Sequence, residues 1–181
     1  PLWSRGLGDV YKRQVLAASV AGAYPLLVVV PNVVKMNWAR EVERWTPQRR
    51  ATVIQGDGTD IDAFADVFIV NYEILDRHMS WLASIGLRGM VVDEAHFIKN
   101  LSSQRSQNVL SLANRVRERT PGGKPLMLAL TGTPLINDVE DFDAIWRFLG
   151  WTTGEKPGPE LMEKLDACLL YTSPSPRDQR G

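Results

Sequence analysis

The alternation of short apolar runs with amphipathic segments restricts the fold of this chain more than any other feature of its sequence. Five apolar runs, each bounded by turn-forming residues, are typical of strands buried on both faces. They are Leu26–Val30, Thr52–Ile54, Val67–Val70, Met90–Val92 and Leu126–Leu130. Because strands that alternate with helices are joined by right-handed crossovers, we predict an α/β fold with a mostly parallel sheet and flanking helices.

Three segments between or after these runs have apolar residues at helical spacing. The apolar faces are Val34, Trp38, Val42 and Trp45 in the first, Val109, Leu112, Ala113 and Val116 in the second, and the apolar positions of Val139–Trp151 in the third. The other face of the first segment is charged, and we expect it to be solvated. Its members are Lys35, Arg40, Glu41 and Arg44.

Composition excludes several classes of protein. The chain has 181 residues, of which 44% are hydrophobic and 23% charged, as is ordinary for a globular domain. A formal net charge of zero creates no global basic field for nucleic acid. One cysteine and two histidines cannot form a structural zinc site. The longest apolar run is too short to cross a bilayer, so we expect no membrane partner.

The two ends of the chain are related to each other at the level of DNA. One possible coding sequence for Ser4–Gln14 has a reverse complement that, read one base out of frame, encodes Cys168–Asp178. Two unrelated protein ends would almost never have this relation, and the DNA resembles a sequencing adapter. We therefore expect residues 1–14 and 168–181 to be adapter-derived, and residues 15–167 to be a domain cut at both ends.

An acidic pair follows the fourth apolar run, in the stretch "GMVVDEAHFIKN". In parallel sheets, chemistry is placed in the loops beyond the carboxyl ends of the strands. There, the carboxylate of Asp93 could hold Mg²⁺ through water and so position ATP phosphates, while Glu94 could deprotonate an attacking water. The alternative is that Asp93 only caps the helix that follows.

A second polar loop follows the fifth apolar run, in the stretch "LMLALTGTPLIND". The hydroxyls and flexible backbone of Thr131, Gly132 and Thr133 suit a loop that senses the state of a bound phosphate. The alternative is a plain turn from strand to helix, with Thr133 as the cap before Pro134.

Together, "DEAH…IKN", "LTGTPLIND…WRFLGW", "LLVVVPNVVKMNWAREVERW" and "VFIVNYEIL" resemble the first ATPase lobe of the Swi/Snf (sucrose-non-fermenting) family. The resemblance covers nearly all of residues 15–167 and looks closest to bacterial members. It implies a RecA-like parallel sheet, truncated here, in an ATP-driven translocase of double-stranded DNA from helicase superfamily two. Thr-Gly-Thr stands where RNA helicases of the Asp-Glu-Ala-His type carry Ser-Ala-Thr, which favours DNA.

The resemblance also implies roles for the residues at the strand ends. Asp93 would serve Mg²⁺ and ATP, and Glu94 would activate water. His96 would couple the ATP site to the loop Thr131–Pro134, in which Thr131, Gly132 and Thr133 would lie at the nucleotide.

Two further segments match family segments that meet the DNA backbone. They contain Pro31, Asn32 and Lys35 after the first strand, and Asn71 and Tyr72 after the third. Phosphate contacts of this kind give binding that is independent of sequence and sensitive to salt. Lys35 could instead be only a solvated helix residue. Three tryptophans are better explained as core anchors than as platforms for bases: Trp38, Trp45 and Trp146. We assign no role to His78.

The chain departs from the family pattern at its beginning, where Gly6-Leu7-Gly8 is followed by Asp9 and Val10 rather than by Gly-Lys-Thr. We therefore expect the phosphate-cradling loop and the second ATPase lobe to be missing, and this chain by itself to hydrolyse no ATP. We expect a cytoplasmic, nucleoid-associated location from the family resemblance and from the lack of cysteines in residues 15–167 and of membrane segments. Two alternatives stay open: another motor of the same superfamily (a restriction enzyme or an RNA helicase) and a DNA-binding relic without catalysis.

Overall fold

The strands of the protein form one sheet whose order places its first strand at the centre. The computed structural model describes residues 22–120, 125–131 and 143–150, together with the backbone of 169–171. The strands are β1 (Leu26–Val30), β2 (Ala51–Val53), β3 (Val67–Asn71), β4 (Gly89–Val92), β5 (Leu126–Thr131) and β6 (Leu169–Tyr171). Their order is β2-β3-β1-β4-β5-β6, and every neighbouring pair is parallel.

The predicted α/β class and parallel sheet are confirmed, and each of the five predicted strands is present. The second begins one residue earlier than predicted and ends at Val53, one residue before the predicted end. The sixth strand was not predicted. It lies in the segment 168–181 that we expected to be adapter-derived, and its backbone pairs with Ala129–Thr131. A three-residue strand in a Ser- and Pro-rich segment shows no alternation from which a strand could be read.

The helices confirm two predicted segments and part of the third. They are α1 (Lys35–Trp45), α2 (Met79–Leu82), α3 (Gln104–Arg119) and α4 (Asp143–Leu149). Short 3₁₀ turns follow three strands, at Asn32–Val34, Tyr72–His78 and Ala95–Ile98. Val34, predicted on the helical face, ends the first of these turns. The remainder of the third predicted helix lies outside the described residues.

Alternate residues of the strands feed two separate cores, because successive side chains of a strand point to opposite faces. Leu27 and Val29 face the core that contains the apolar sides of α3 and α4. Val28 and Val30 face the core that contains Trp38 of α1. Helices therefore cover both faces of the sheet, which explains why its strands are apolar throughout. No helix among the described residues is long and apolar enough to cross a membrane.

Candidate functional site

The carboxyl ends of β1, β3 and β4 meet at one edge of the sheet, because all three strands run parallel and in close register. Val30 pairs with Asn71, and Val29 pairs with Val92. The first residue beyond β4 is Asp93, whose backbone N–H continues the ladder by donating to the Val29 carbonyl at 2.8 Å. The sequence prediction that placed the acidic pair at a strand end is confirmed.

The carboxylate of Asp93 is buried and accepts one hydrogen bond on each oxygen. Trp38 Nε1 donates to Oδ2 at 2.9 Å, and the backbone N–H of Glu94 donates to Oδ1 at 2.9 Å. Burial raises the pKa of Asp93, and the two hydrogen bonds oppose that rise because they favour the ionised form. The alternative, in which Asp93 only caps the next turn, is wrong: the cap position of that turn is Glu94, and no side-chain hydrogen bond caps it.

Glu94 has a backbone conformation that residues other than glycine rarely adopt. Its φ is 51° and its ψ 57°, which is the left-handed region. This turn directs the chain from β4 into the 3₁₀ turn Ala95–Ile98 and leaves the Glu94 side chain 37% exposed. Burial and the neighbouring charge of Asp93 both raise the pKa of Glu94, which brings this carboxyl closer to the range of a general base.

His96 lies beside Glu94, with Nδ1 3.3 Å from Glu94 Oε2. This contact does not have hydrogen-bond geometry. Burial and then the charge of Lys99 lower the pKa of His96, which favours the neutral imidazole, and the charge of Asp93 opposes this. Thr131 ends β5 and is buried. Gly132, Thr133 and Pro134 lie outside the described residues, so the coupling of His96 to that loop stays a prediction.

The two segments predicted to meet DNA are joined to each other by a buried lysine. Lys35 Nζ donates to Asn71 Oδ1 at 2.8 Å and to the Ile54 carbonyl at 3.2 Å. Asn71 Nδ2 in turn donates to Glu73 Oε2 at 2.7 Å. The prediction that Lys35 is a solvated helix residue is therefore wrong: it is 7% exposed, because the first turn of α1 packs over the ends of β2 and β3. Desolvation by this burial lowers the pKa of Lys35.

Both the hydroxyl and the ring of Tyr72 make contacts within the protein. Its hydroxyl donates to the Asp93 carbonyl at 2.6 Å, and its ring stacks on Phe97 with centroids 5.2 Å apart. The guanidinium of Arg105 lies over both rings, and burial raises the pKa of Tyr72 well above its ordinary value. Asn32 is exposed and Pro31 half-buried. DNA contact by the predicted set stays a prediction, and the polar atoms of Lys35 and Tyr72 have protein partners.

Three side chains make contacts at or near this edge that the sequence analysis did not predict. Trp38 is buried, as predicted for a core anchor, and it also donates a hydrogen bond to Asp93. Arg105 covers the two stacked rings. His78 was assigned no role, and it is buried with Nε2 2.9 Å from the Gly56 carbonyl while Trp81 Nε1 donates to Nδ1 at 3.0 Å. No local pattern marks the contact of Trp38 with Asp93 or that of His78 with Gly56, since the partners are separated by 55 and 22 residues.

The described residues contain no group of three or more acidic, histidine or cysteine side chains that could hold a metal ion. A divalent ion at this edge would be held by a carboxylate oxygen of Asp93, directly or through water, beside Glu94 as the predicted base. That donor set suits Mg²⁺, which keeps several waters and binds one or two carboxylates together with phosphates.

The chain is similar in sequence to a family of known proteins. Residues 10–155 match the family described as the SNF2-related domain. The chain is 36% identical over 134 residues, 69% of its length, to the ISWI chromatin-remodeling complex ATPase ISW1 of Saccharomyces cerevisiae. It is 32% identical over 168 residues, 86% of its length, to Helicase swr1 of Emericella nidulans. It spans about a tenth of the length of these two relatives.

A solved structure shares the fold. The SWI2/SNF2 ATPase core of Sulfolobus solfataricus in complex with dsDNA superposes with a TM-score of 0.68 at 23% identity. The match covers 91% of this chain and 37% of that one. The predicted RecA-like α/β architecture is thereby confirmed. The expected likeness to bacterial members in particular stays a prediction.

Proposed function

The chain belongs to the SNF2-related domain family, and on that premise we propose that it is part of an enzyme that couples ATP hydrolysis to movement along double-stranded DNA. One observation supports this most directly. The acidic pair Asp93–Glu94 stands at the same sheet edge as the segments that follow β1 and β3, and hydrogen bonds join all three. A site for hydrolysis and a site for a nucleic-acid backbone would thus share one rigid frame.

The acidic pair divides the catalytic work. Asp93, held by one hydrogen bond on each oxygen, offers its remaining lone pairs to Mg²⁺ and the waters around it. Glu94 is more exposed, has a raised pKa, and is the base that accepts the proton of the attacking water. When bound, Mg²⁺ neutralises charge on the ATP phosphates. The phosphate-cradling loop is predicted to be missing from this chain, and Gly132 and Thr133 lie outside the described residues.

DNA binding is proposed through the backbone of the duplex. Asn32 is exposed beside the first turn of α1, and Lys35 and Asn71 carry donor groups at the same edge. Contacts from such groups to phosphates carry no sequence information and weaken with salt. The Sulfolobus solfataricus core, which shares the fold, is titled as a complex with dsDNA.

The test uses the full-length protein that contains this chain, with ATP hydrolysis measured alone, with duplex DNA and with duplex RNA. We expect stimulation by DNA, and a loss of about 10²–10⁴-fold in Glu94→Gln, since a general base contributes that much. Glu43→Gln is the matched control, because Glu43 is exposed on α1. The 181-residue chain alone should show no hydrolysis.

Three outcomes would contradict the proposal. Full DNA-stimulated hydrolysis in Glu94→Gln would remove Glu94 from the reaction. Stimulation by RNA and not by DNA would identify a different motor of the same superfamily. Salt-sensitive DNA binding by a full-length protein that hydrolyses no ATP would favour the non-catalytic relic.

A further inference from the structure

Three hydrogen bonds connect Asp93, the helix α1 and the segment at the end of β3 to one another. Trp38 Nε1 donates to Asp93 Oδ2 at 2.9 Å, and the Tyr72 hydroxyl donates to the Asp93 carbonyl at 2.6 Å. Lys35, one turn before Trp38 on α1, donates to Asn71 Oδ1 at 2.8 Å. The helix after β1 and the turn after β3 are therefore both anchored on the main chain and the carboxylate of one acidic residue.

The two donors to the Asp93 carboxylate differ in origin. The Glu94 N–H is supplied by the next residue and comes with the turn itself. The Trp38 indole comes from a different element, 55 residues away in sequence. Among the residues that the structure describes, Trp38 is the only side chain that donates a hydrogen bond to this carboxylate. The terminal torsion of an aspartate is broad, so its orientation depends on donors that engage both oxygens.

The indole is held in the core and reaches the carboxylate from a fixed position, with Nε1 2.9 Å from Asp93 Oδ2. A hydrogen bond to an ionised acceptor is about twice as strong as a neutral one. Trp38 is 1% exposed, so solvent cannot replace its N–H.

We propose that Trp38 is a positioning residue for Asp93, whose indole N–H holds the carboxylate in the orientation that receives the divalent ion. This role deepens the proposed hydrolytic function and rests on it. It makes α1, the helix that begins at the predicted DNA-facing segment, part of the frame of the ion site. A shift of α1 would move the Trp38 indole and with it the carboxylate.

A matched comparison is built into the same helix. Trp45 also donates its indole N–H to a carboxylate, that of Glu41 one turn earlier, and this pair lies far along α1 from Asp93. Trp45→Phe removes the same kind of hydrogen bond as Trp38→Phe while it leaves Asp93 untouched. A difference between the two variants therefore reports the Asp93 contact rather than the general loss of an indole.

The experiment measures Mn²⁺ binding by electron paramagnetic resonance in the full-length protein, with ADP present and DNA absent. Asp93→Ala defines the binding that depends on Asp93. We expect Trp38→Phe to weaken that binding about tenfold, the effect of one hydrogen bond to a charged group. Trp45→Phe should bind as the wild type does. Equal affinity in Trp38→Phe and wild type would overturn the proposal, as would the absence of any binding that depends on Asp93.

A second measurement is made on the wild-type protein, and variants serve only to assign its resonances. In wild-type protein labelled with 5-fluorotryptophan, Mg²⁺ with ADP should shift the ¹⁹F resonance of Trp38, assigned from Trp38→Phe or its Asp93→Ala dependence, and leave that of Trp45 in place. An unshifted Trp38 resonance at saturating Mg²⁺ would overturn the proposal. DNA-stimulated hydrolysis by the same wild-type preparation tests the proposed function separately, so failure of one is not mistaken for failure of the other.

Discussion

Replacement of Glu94 by glycine should make the protein more stable and abolish its proposed activity. The φ of 51° at Glu94 is the only positive φ at a non-glycine residue among the described positions. A left-handed conformation costs an L-residue about 1–2 kcal/mol, and glycine adopts it without that cost. Against this gain, glycine loses about 0.5–1 kcal/mol more conformational entropy on folding than alanine does.

The net effect of the backbone is therefore a gain of about 0.5–1 kcal/mol for Glu94→Gly relative to Glu94→Ala. The comparison with alanine is needed because any replacement also removes the charge next to Asp93. Burial and the charge of Asp93 both raise the pKa of Glu94, so ionised Glu94 destabilises the folded state. Alanine removes that repulsion and keeps the backbone strain, whereas glycine removes both.

Urea unfolding at neutral pH, followed by circular dichroism, gives the free energy of unfolding of the three proteins. We expect the order Glu94→Gly, then Glu94→Ala, then wild type, with equal loss of hydrolysis in both variants. Equal stability of the glycine and alanine variants would refute the strain at position 94. A wild type more stable than both variants would contradict the expectation that Glu94, required for hydrolysis, destabilises the folded state.

Four further outcomes are expected. His78→Leu should lower the free energy of unfolding by about 1–3 kcal/mol, because Gly56 O and Trp81 Nε1 lose their shared partner; an unchanged urea midpoint would contradict this. Ser103→Ala should cost about 1 kcal/mol, because the Ser103 side chain caps α3; an unchanged thermal midpoint would refute the cap. Lys35→Met should reduce the slope of the logarithm of the duplex-binding constant against the logarithm of salt concentration by about one phosphate contact, relative to an exposed control on α1. An unaltered slope would exclude a DNA contact by Lys35. Finally, the pKa values of Asp93 and Glu94 are raised in the folded state, so the rate of hydrolysis should fall on acidification at a higher pH than for ordinary carboxyls. Over the same range the contribution of the acidic pair to the free energy of unfolding should increase, because the folded state binds more protons. A rate of hydrolysis that stays constant down to pH 4 would contradict this.

The class of fold and the location of the acidic pair were predictable from the sequence alone. Both follow from local patterns: apolar runs of strand length, helical spacing between them, and a change from apolar to acidic at Val92 and Asp93. Those patterns reflect burial of each element along its own length, so no knowledge of its neighbours is required. The predicted solvation of Lys35 was wrong for the same reason. Its position on the charged face of α1 is a local property, and its burial depends on the ends of β2 and β3.

The groups that meet at the sheet edge could not be predicted without the three-dimensional arrangement of the strands. Trp38 and Tyr72 reach Asp93 across 55 and 21 residues, and nothing near either residue in the sequence encodes that meeting. The meeting is produced by the strand order, which places β1 between β3 and β4 and so brings the chain segments after all three strands together. The left-handed turn at Glu94 is of the same kind, since a conformation that is locally unfavourable persists only where surrounding contacts impose it.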